Sequence, residues 1–524
     1  LDDNIFIKVY LDGDFPAEFK HLQHETEALL ENFKDISPDN IDFEFINPND
    51  NADEEQKLAL FKQLVKNGLA PTDLEIRKMG SKVSQIIFPG AIIYYKEKQA
   101  ALNFLKNDIS KSSSDNINNS IESLEYEFGA AIQHITKKKL SKIAFLEGNG
   151  ELGEKQVYDI TESVMQDNMR LSYYYTVDRF NLKEFSIDST SMQANLSKKL
   201  ALLKTYKAVV IAKPTIALNN IDKLLIDQYV MSGGKVLWIV DGVHASMDSL
   251  QQSKSFIATK NDLNIDDQLF KYGVRINANL IEDLRATEIP LIAGYSNNKP
   301  QHKFYSWPYH PLLVSDSKHP ISKDLDAIRC DFVSSIDTIK NTIKKTILLH
   351  SSKKSRANLA PIKVSLGIAE NPPAEYTYNK EHLAVAVLLE GEFESVFKNR
   401  ILPKNSSLKL LEKSKENKMI VISDGDLIAN NISSKGTVYP LGYDRFINYT
   451  YPGNKHFLLN AIHYLCDDSE LIQLKAKELK LRMLNKTQIK QNRLLIQLIN
   501  ILLPLLLLSL FAVLFIKIKK RKYA

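Results

Sequence analysis

Along most of the chain, apolar residues come in short alternating or periodic stretches separated by polar turns. Ile5-Phe6-Ile7-Lys8-Val9-Tyr10-Leu11 is β-rich, and Phe15–Asp35 carries Phe19, Leu22, Leu29, Leu30 and Phe33 at helical spacing. Ile41–Ile46 alternates, with Ile41, Phe43 and Phe45 on one face. A helix over Asp53–Asn67 closed by Gly68 is expected next, then strands near Ser84–Phe88 and Ala91–Tyr95. This β-α-β-α-β-β order predicts a thioredoxin-like fold over residues 1–120, without the CxxC that redox chemistry needs. The polar stretch Asn107–Asn119 reads as a linker or helix entry, and Ile121–Thr136 as an amphipathic helix.

A second α/β region is expected over residues 121–454. Its predicted strands are Ile143–Leu146, Leu171–Val177, Ala208–Ala212, Lys235–Val240, Val274–Ile276, Thr346–Leu349, Ala384–Leu389 and Met419–Ser423. Its predicted helices are Lys155–Asn168, Asn219–Ser232 and Asp262–Tyr272, the last two closed by Gly233-Gly234 and Gly273. Alternation of this kind indicates a mostly parallel sheet covered on both faces. Such sheets carry ligand crevices beyond the ends of their strands.

The pattern then changes. Phe457–Leu465 and Leu471–Arg493 read as a helical stalk (455–493), and from Leu494 to Ile516 no charged residue occurs. At about 1.5 Å per residue this span crosses a hydrocarbon core of about 30 Å. The helix is read as an anchor in the lipid bilayer, because a buried core helix of this length would show a polar face. Gln497, Asn500 and Ser509 are its polar exceptions and Pro504 lies mid-span; such residues face another protein helix rather than lipid. Lys517, Lys519, Lys520, Arg521 and Lys522 follow in a basic tail (517–524), but Lys477, Lys480, Arg482, Lys486, Lys490 and Arg493 precede the span. Basic flanks on both sides leave orientation open. The text begins at Leu1 and runs straight into a strand, so a longer N-terminus is expected.

The 524 residues argue for more than one domain. A net charge of +5, with both signs interspersed, supplies no basic stripe for nucleic acid. Cys330 and Cys466 have no metal-site or redox spacing and read as two buried free thiols.

Motifs with chemical content are weak. Gly233-Gly234-Lys235 lacks the upstream glycine and the following Ser or Thr of a phosphate loop, because Tyr229 and Val236 stand there. It reads as a helix cap, and no ATP hydrolysis is expected. Asp424-Gly425-Asp426 follows a strand and lacks the other ligands of a calcium loop, so a turn is favoured over a metal site. Asp241 is a strand-end aspartate of the same kind. Glu147 and Glu151 flank the turn Gly148-Asn149-Gly150, and nothing in the sequence makes them face each other. His302, His310, His319 and His350 match no metal signature, and Trp307-Pro308-Tyr309-His310-Pro311 reads as a loop packed on its own domain. No catalytic residue, metal site or cofactor is expected. The crevice candidates are Gly148, Asn149, Glu151, Asp241, Asp424 and Asp426.

Several strings together resemble the GldG family, the accessory component of a gliding-motility ABC transporter. They are Val9-Tyr10-Leu11-Asp12-Gly13-Asp14-Phe15-Pro16, Asp227 through Lys235, Lys271-Tyr272-Gly273-Val274-Arg275, Leu388-Leu389-Glu390-Gly391, Ser423-Asp424-Gly425-Asp426, Pro440-Leu441-Gly442-Tyr443 and Asn454 through Asn460. The resemblance implies a flavodoxin-like, doubly wound module and a body facing the periplasm from the inner membrane. It also implies a permease partner (GldF-like), a cytoplasmic ATPase partner (GldA-like) and an additional N-terminal membrane helix. A homodimer within the complex is a further expectation. The family carries Gly-His-Gly-Glu where this chain has Gly148-Asn149-Gly150-Glu151, so no histidine-dependent role is expected there. The rival reading is a tethered solute- or glycan-binding module.

Overall fold

A computed structural model describes residues 3–50, 53–78, 81–105, 112–165, 167–184, 192–315, 318–398, 400, 410–467, 469, 471–476 and 493–523. The chain divides into two compact units, Leu1–Lys477 and Glu478–Ala524.

The first unit opens with β1 (Ile5–Val9), α1 (Ala17–Ile36), β2 (Ile41–Phe45) and α2 (Glu54–Lys66). Asp53 caps α2, its side chain accepting from the Glu55 backbone N–H at 3.0 Å. There follow a hairpin of β3 (Thr72–Lys78) and β4 (Ser81–Ile87), then β5 (Gly90–Tyr95), β6 (Lys98–Asn103) and α3 (Ser113–Thr136). The strand order is β2-β1-β5-β6, with β1 parallel to β2 and antiparallel to β5. Ile5, Ile7 and Val9 point into a core closed by Phe19, Leu22 and Leu30 of α1 and by Ile117, Leu124 and Phe128 of α3. The expected helix at Ile121 thus begins earlier, at Ser113, where the Ser112 hydroxyl accepts from the Asp115 backbone N–H.

The larger sheet has seven strands. In space they run Lys344–His350, Ala384–Glu394, Lys413–Ile422, β10 (Lys235–Ile239), β9 (Ala208–Ala212), β7 (Lys142–Glu147) and β8 (Thr176–Asn181). The strands from β8 to Lys413–Ile422 are parallel, and the other two add antiparallel at the far edge. The apolar runs are explained by burial on both sides. Phe145, Val210, Leu237 and Ile420 face one core with Phe457, Leu458 and Ile462 of the helix Gly453–Cys466. Leu146, Ile211, Trp238 and Val421 face the other with Leu225, Ile226 and Tyr229 of α7 (Asn220–Met231).

Two expected elements differ. Lys155–Asn168 is not one helix: a single 3-10 turn over Glu154–Val157 leads into α4 (Tyr158–Thr161), and Ser163 takes a positive φ of 65°. The cause is Asp159, a buried carboxylate that accepts from the backbone N–H groups of Val164 and Leu441 and so bends the chain. Leu171–Tyr174 forms the short helix α5 instead of starting a strand. Tyr174 packs edge-on to His463, and the Tyr175 hydroxyl lies 2.8 Å from His463 Nδ1. These tertiary contacts outweigh the β propensity of the tyrosine run and delay the strand to Thr176. A further helix, α6, spans Met192–Leu203.

Between β10 and Lys413–Ile422 lies a β-rich insertion with its own core around Trp307, Tyr309 and Phe332. Trp307-Pro308-Tyr309-His310-Pro311 packs on its own domain as expected, but as a buried strand segment and not as a loop. It belongs to a long antiparallel ribbon of Ala286–Ser296 and Lys299–Leu313. Cys330 and Cys466 are buried and form no disulfide.

In the second unit, Arg493–Tyr523 is one helix with Pro504 inside it. Ile501–Lys519 is long and apolar enough to cross a membrane. The Ser509 hydroxyl donates to the Leu506 carbonyl at 2.9 Å, within the helix. Within the segment expected as a stalk, the helix Gly453–Cys466 instead packs into the core of the large sheet, a 3-10 turn follows at Leu471–Ala476, and residues 477–492 lie outside the described residues.

Candidate functional site

The parallel strands all deliver their C-terminal ends to one edge of the sheet. The first strand ends in the Gly148–Glu151 turn, β9 in Lys213, β10 in Asp241, and Lys413–Ile422 in Asp424-Gly425-Asp426. The spatial order reverses between β7 and β9, the position where crevices open in such sheets. A cavity of about 330 Å³ lies there, lined by Glu151, Lys213, Arg329, Asp331, Asp426 and Tyr443 among others.

At its floor three carboxylates converge. Asp241, Asp424 and Asp426 each offer an oxygen, all within 4.8 Å of one another. Asp424 acts as the expected turn former: its Oδ1 accepts from the Asp426 backbone N–H at 2.8 Å and caps the 3-10 turn Gly425–Ile428. Its Oδ2 accepts from the Asp331 N–H at 3.0 Å, and Asp241 Oδ1 accepts from Gly425 N–H at 2.5 Å. The cation among them is Lys213, held at a positive φ of 52°. Its ammonium bonds Asp426 and lies 3.5 Å from Asp241.

The electrostatics follow from crowding charge in a dry place. Burial, against the pull of Lys213 and with the push of Asp426, raises the Asp241 carboxyl to about 6. Burial and the neighbouring Asp426 and Asp241 hold Asp424 well above the carboxylate range, and burial raises Asp426 despite Lys213. Burial alone would lower Lys213, but Asp241 and Asp426 outweigh it and keep it protonated. Carboxylates so spaced are a donor set suited to a hard divalent ion. Lys213 already supplies the positive charge, so an ion would have to displace the ammonium.

A second network forms the cavity wall. Arg329 donates from Nε to Asp444 Oδ2 and from Nη1 to Asp331, both at 3.0 Å, while Asn454 bonds the Arg329 backbone on both sides, at 2.9 and 2.7 Å. His310 lies 3.3 Å from Arg329 Nη2 and 3.4 Å from Asp331. Burial, aided by Arg329, lowers His310 far below its ordinary range and keeps it neutral. Gly442 closes the wall at φ 80°; a Cβ there would lie 2.3 Å from the Tyr451 carbonyl oxygen.

Of the residues singled out from sequence, Glu151 and Asp426 line this cavity, and Asp241 and Asp424 cluster with Asp426 beneath it. Asn149 is fully buried beside them, its carbonyl accepting from Thr215 and Ile216 N–H groups, and Gly148 takes φ 116°. Glu147 is drawn away by Arg179 at 2.7 Å, whereas Glu151 accepts from Asn149 N–H, so the two glutamates form no acid–base pair. Gly233-Gly234 caps α7, with Gly234 N–H donating to the Tyr229 carbonyl, and sits at the opposite, N-terminal end of β10. Sequence reasoning missed Lys213, Arg329, Asp331 and Asp444. Lys213 was legible as the residue after a strand; the other three come from the insertion and the C-terminal loops, which no periodicity links to the sheet.

Residues 140–461 match the family model of an ABC-type uncharacterized transport system auxiliary family. The chain belongs to this family. Residues 1–94 match a domain family of unknown function, DUF7088. The ABC auxiliary region thus contains the whole cavity and its charged floor, and it ends within the helix Gly453–Cys466. Membership implies association of this auxiliary protein with transporter components, and it suggests an accessory rather than an enzymatic role. No curated protein matches the chain. Among solved structures, the chain is similar to the mmIFT52 N-terminal domain at 13% identity and a TM-score of 0.34, covering 63% of this chain and 99% of that one.

Proposed function

We propose that this auxiliary protein is a non-catalytic, membrane-anchored subunit of an ABC transporter complex of the GldG type, associated with gliding motility. Its body stands in the periplasm and its C-terminal helix in the inner membrane. A GldF-like permease and a GldA-like ATPase are its partners, and nucleotide chemistry resides in the latter. The observation that carries this is the family match over residues 140–461 in a chain that also ends in a membrane-competent helix. The strand order β8-β7-β9-β10 followed by Lys413–Ile422 supports a flavodoxin-like module, and β2-β1-β5-β6 supports a thioredoxin-like domain ahead of it. Tagged full-length protein purified from gently solubilised membranes should bring down a polytopic permease and an ATPase in stoichiometric amounts. Recovery of the chain alone would sink the subunit reading.

The cavity favours a second reading, a tethered solute- or glycan-binding module. Its lining of Glu151, Gln156, Asn430, Asn431 and Asn454 beside Tyr443, which stacks on Tyr439 at 4.4 Å, offers many hydrogen-bond partners and a flat ring. A hydroxyl-rich solute at 100 times its Kd should then stabilise the protein by about 2.7 kcal/mol, read as a rise in Tm. No shift across a panel of sugars and polyols would count against this reading.

A further inference from the structure

The ribbon of Ala286–Ser296 and Lys299–Leu313 is anchored at its base and bare beyond it. Trp307 and Tyr309 are buried, and Leu291 and Tyr305 still touch the core beneath, whereas Ile292, Tyr295 and Phe304 are 51%, 72% and 47% exposed. Pairing shows how these side chains align. Pro290 opposes Phe304 and Ile292 opposes His302, so these four share a face. The register shift between Ile292 and Gly294 then sets Tyr295 opposite Pro300. Without that bulge Tyr295 would fall on the other side; with it, Tyr295 joins the same stripe. One face of the ribbon is therefore an exposed apolar and aromatic strip.

Charge adds a second, independent feature. From Ile289 to Ser315 the sequence contains no acidic residue, while Lys299 and Lys303 lie on the ribbon. The Lys303 ammonium sits over the Tyr305 ring at 4.9 Å. Both lysines alternate onto the ribbon face opposite the strip, and their charge still falls within about a Debye length (about 8–10 Å) of a surface laid against it. A two-stranded ribbon is also marginal in water without a surface to cover it. An apolar strip bearing aromatic rings, on a ribbon whose outer part from Ile289 carries two lysines and no carboxylate, matches the interface of a bilayer with anionic headgroups. A protein partner of ordinary mixed charge would leave this one-sided charge unexplained.

We propose that this ribbon is a second membrane contact, laying the strip of Ile292, Tyr295 and Phe304 into the headgroup region of a bilayer that contains anionic phospholipid. This inference rests on the anchored reading proposed above, in which the chain is tethered to the bilayer and even a weak contact is populated through effective concentration.

The test uses the purified full-length chain in nanodiscs, with no other protein present. Tyr295→Cys carries an environment-sensitive fluorophore; Cys330 and Cys466 are buried and escape labelling. In discs of phosphatidylcholine and phosphatidylglycerol, lipids brominated on the acyl chain should quench the probe. Omitting phosphatidylglycerol, or introducing Lys299→Glu with Lys303→Glu, should weaken the contact about tenfold. Hydrogen exchange of the unmodified chain should show the ribbon amides protected in the anionic discs relative to detergent. A probe that stays in water in both discs, with unprotected amides, overturns the proposal. So does quenching indifferent to lipid charge and to the lysine reversals, and so does burial seen only after a purified transporter partner is added.

Discussion

Replacing Lys213 by methionine should destabilise the body by about 3–5 kcal/mol at neutral pH, because it strands buried carboxylates without their cation. Asp241 and Asp426 pair with that ammonium, and Asp424 clusters with them. The pH dependence distinguishes this from a simple packing defect. Lys213 has a folded pKa above its unfolded one, so its contribution is complete below the unfolded value and is lost only as pH rises through the folded one, in strong alkali. Asp241 is the opposite case for a carboxyl: its folded value of about 6 exceeds the ordinary 3.8, so the native state gains from its proton at low pH and loses that gain as pH rises from about 4 to 6. Without Lys213 the three carboxyls hold their protons to still higher pH. The gap in unfolding free energy between wild type and Lys213→Met should therefore be small near pH 4 and widen steadily toward about pH 8. Denaturant titrations at a series of pH values measure this gap. A gap that stays constant would mean that Lys213 is not the counter-ion of the cluster.

Arg329→Met is the other severe change. The Arg329 side chain is 10% exposed, and its guanidinium bridges Asp331 to Asp444, whose side chain is fully buried. Its removal should cost about 3–5 kcal/mol, and Arg329→Lys should restore only part, since one ammonium cannot reproduce the planar fork. Adding Asp444→Asn to Arg329→Met should recover stability relative to the single variant. A double-mutant cycle by thermal or chemical unfolding checks this, and strict additivity would show that the pair is not coupled.

Much of this architecture could be read from the chain. The run Ala208–Ala212 is buried at every position and was recognisable as a strand covered on both sides. Asn219 and Gly233-Gly234 marked the ends of α7 because capping is a local matter. Asp241 and the Asp424–Asp426 turn were legible as strand-end acids. Their meeting, and their counter-ion, were not: register between β9, β10 and Lys413–Ile422 is a property of the sheet, not of any one segment. Arg329 illustrates the limit: Asp331 is a near neighbour in sequence, but Asp444 and Asn454 lie more than a hundred residues on, the latter at the start of the helix Gly453–Cys466. The tyrosine run at Leu171–Tyr175 misled for the complementary reason, its intrinsic preference yielding to packing on His463.

The large insertion between adjacent sheet partners also bears on how this chain is made. Val236 pairs with Met419, so the edge of β10 stays open while everything between them is synthesised. At about 5–20 residues per second that interval is on the order of ten seconds or more. During it a strongly apolar parallel edge has no neighbour, which is a hazard for mispairing. Asp424 and Asp426 arrive on the closing segment, so the charged floor of the cavity cannot assemble before the sheet itself is complete. Nascent chains halted before residue 413 should consequently need chaperone protection that the finished body does not.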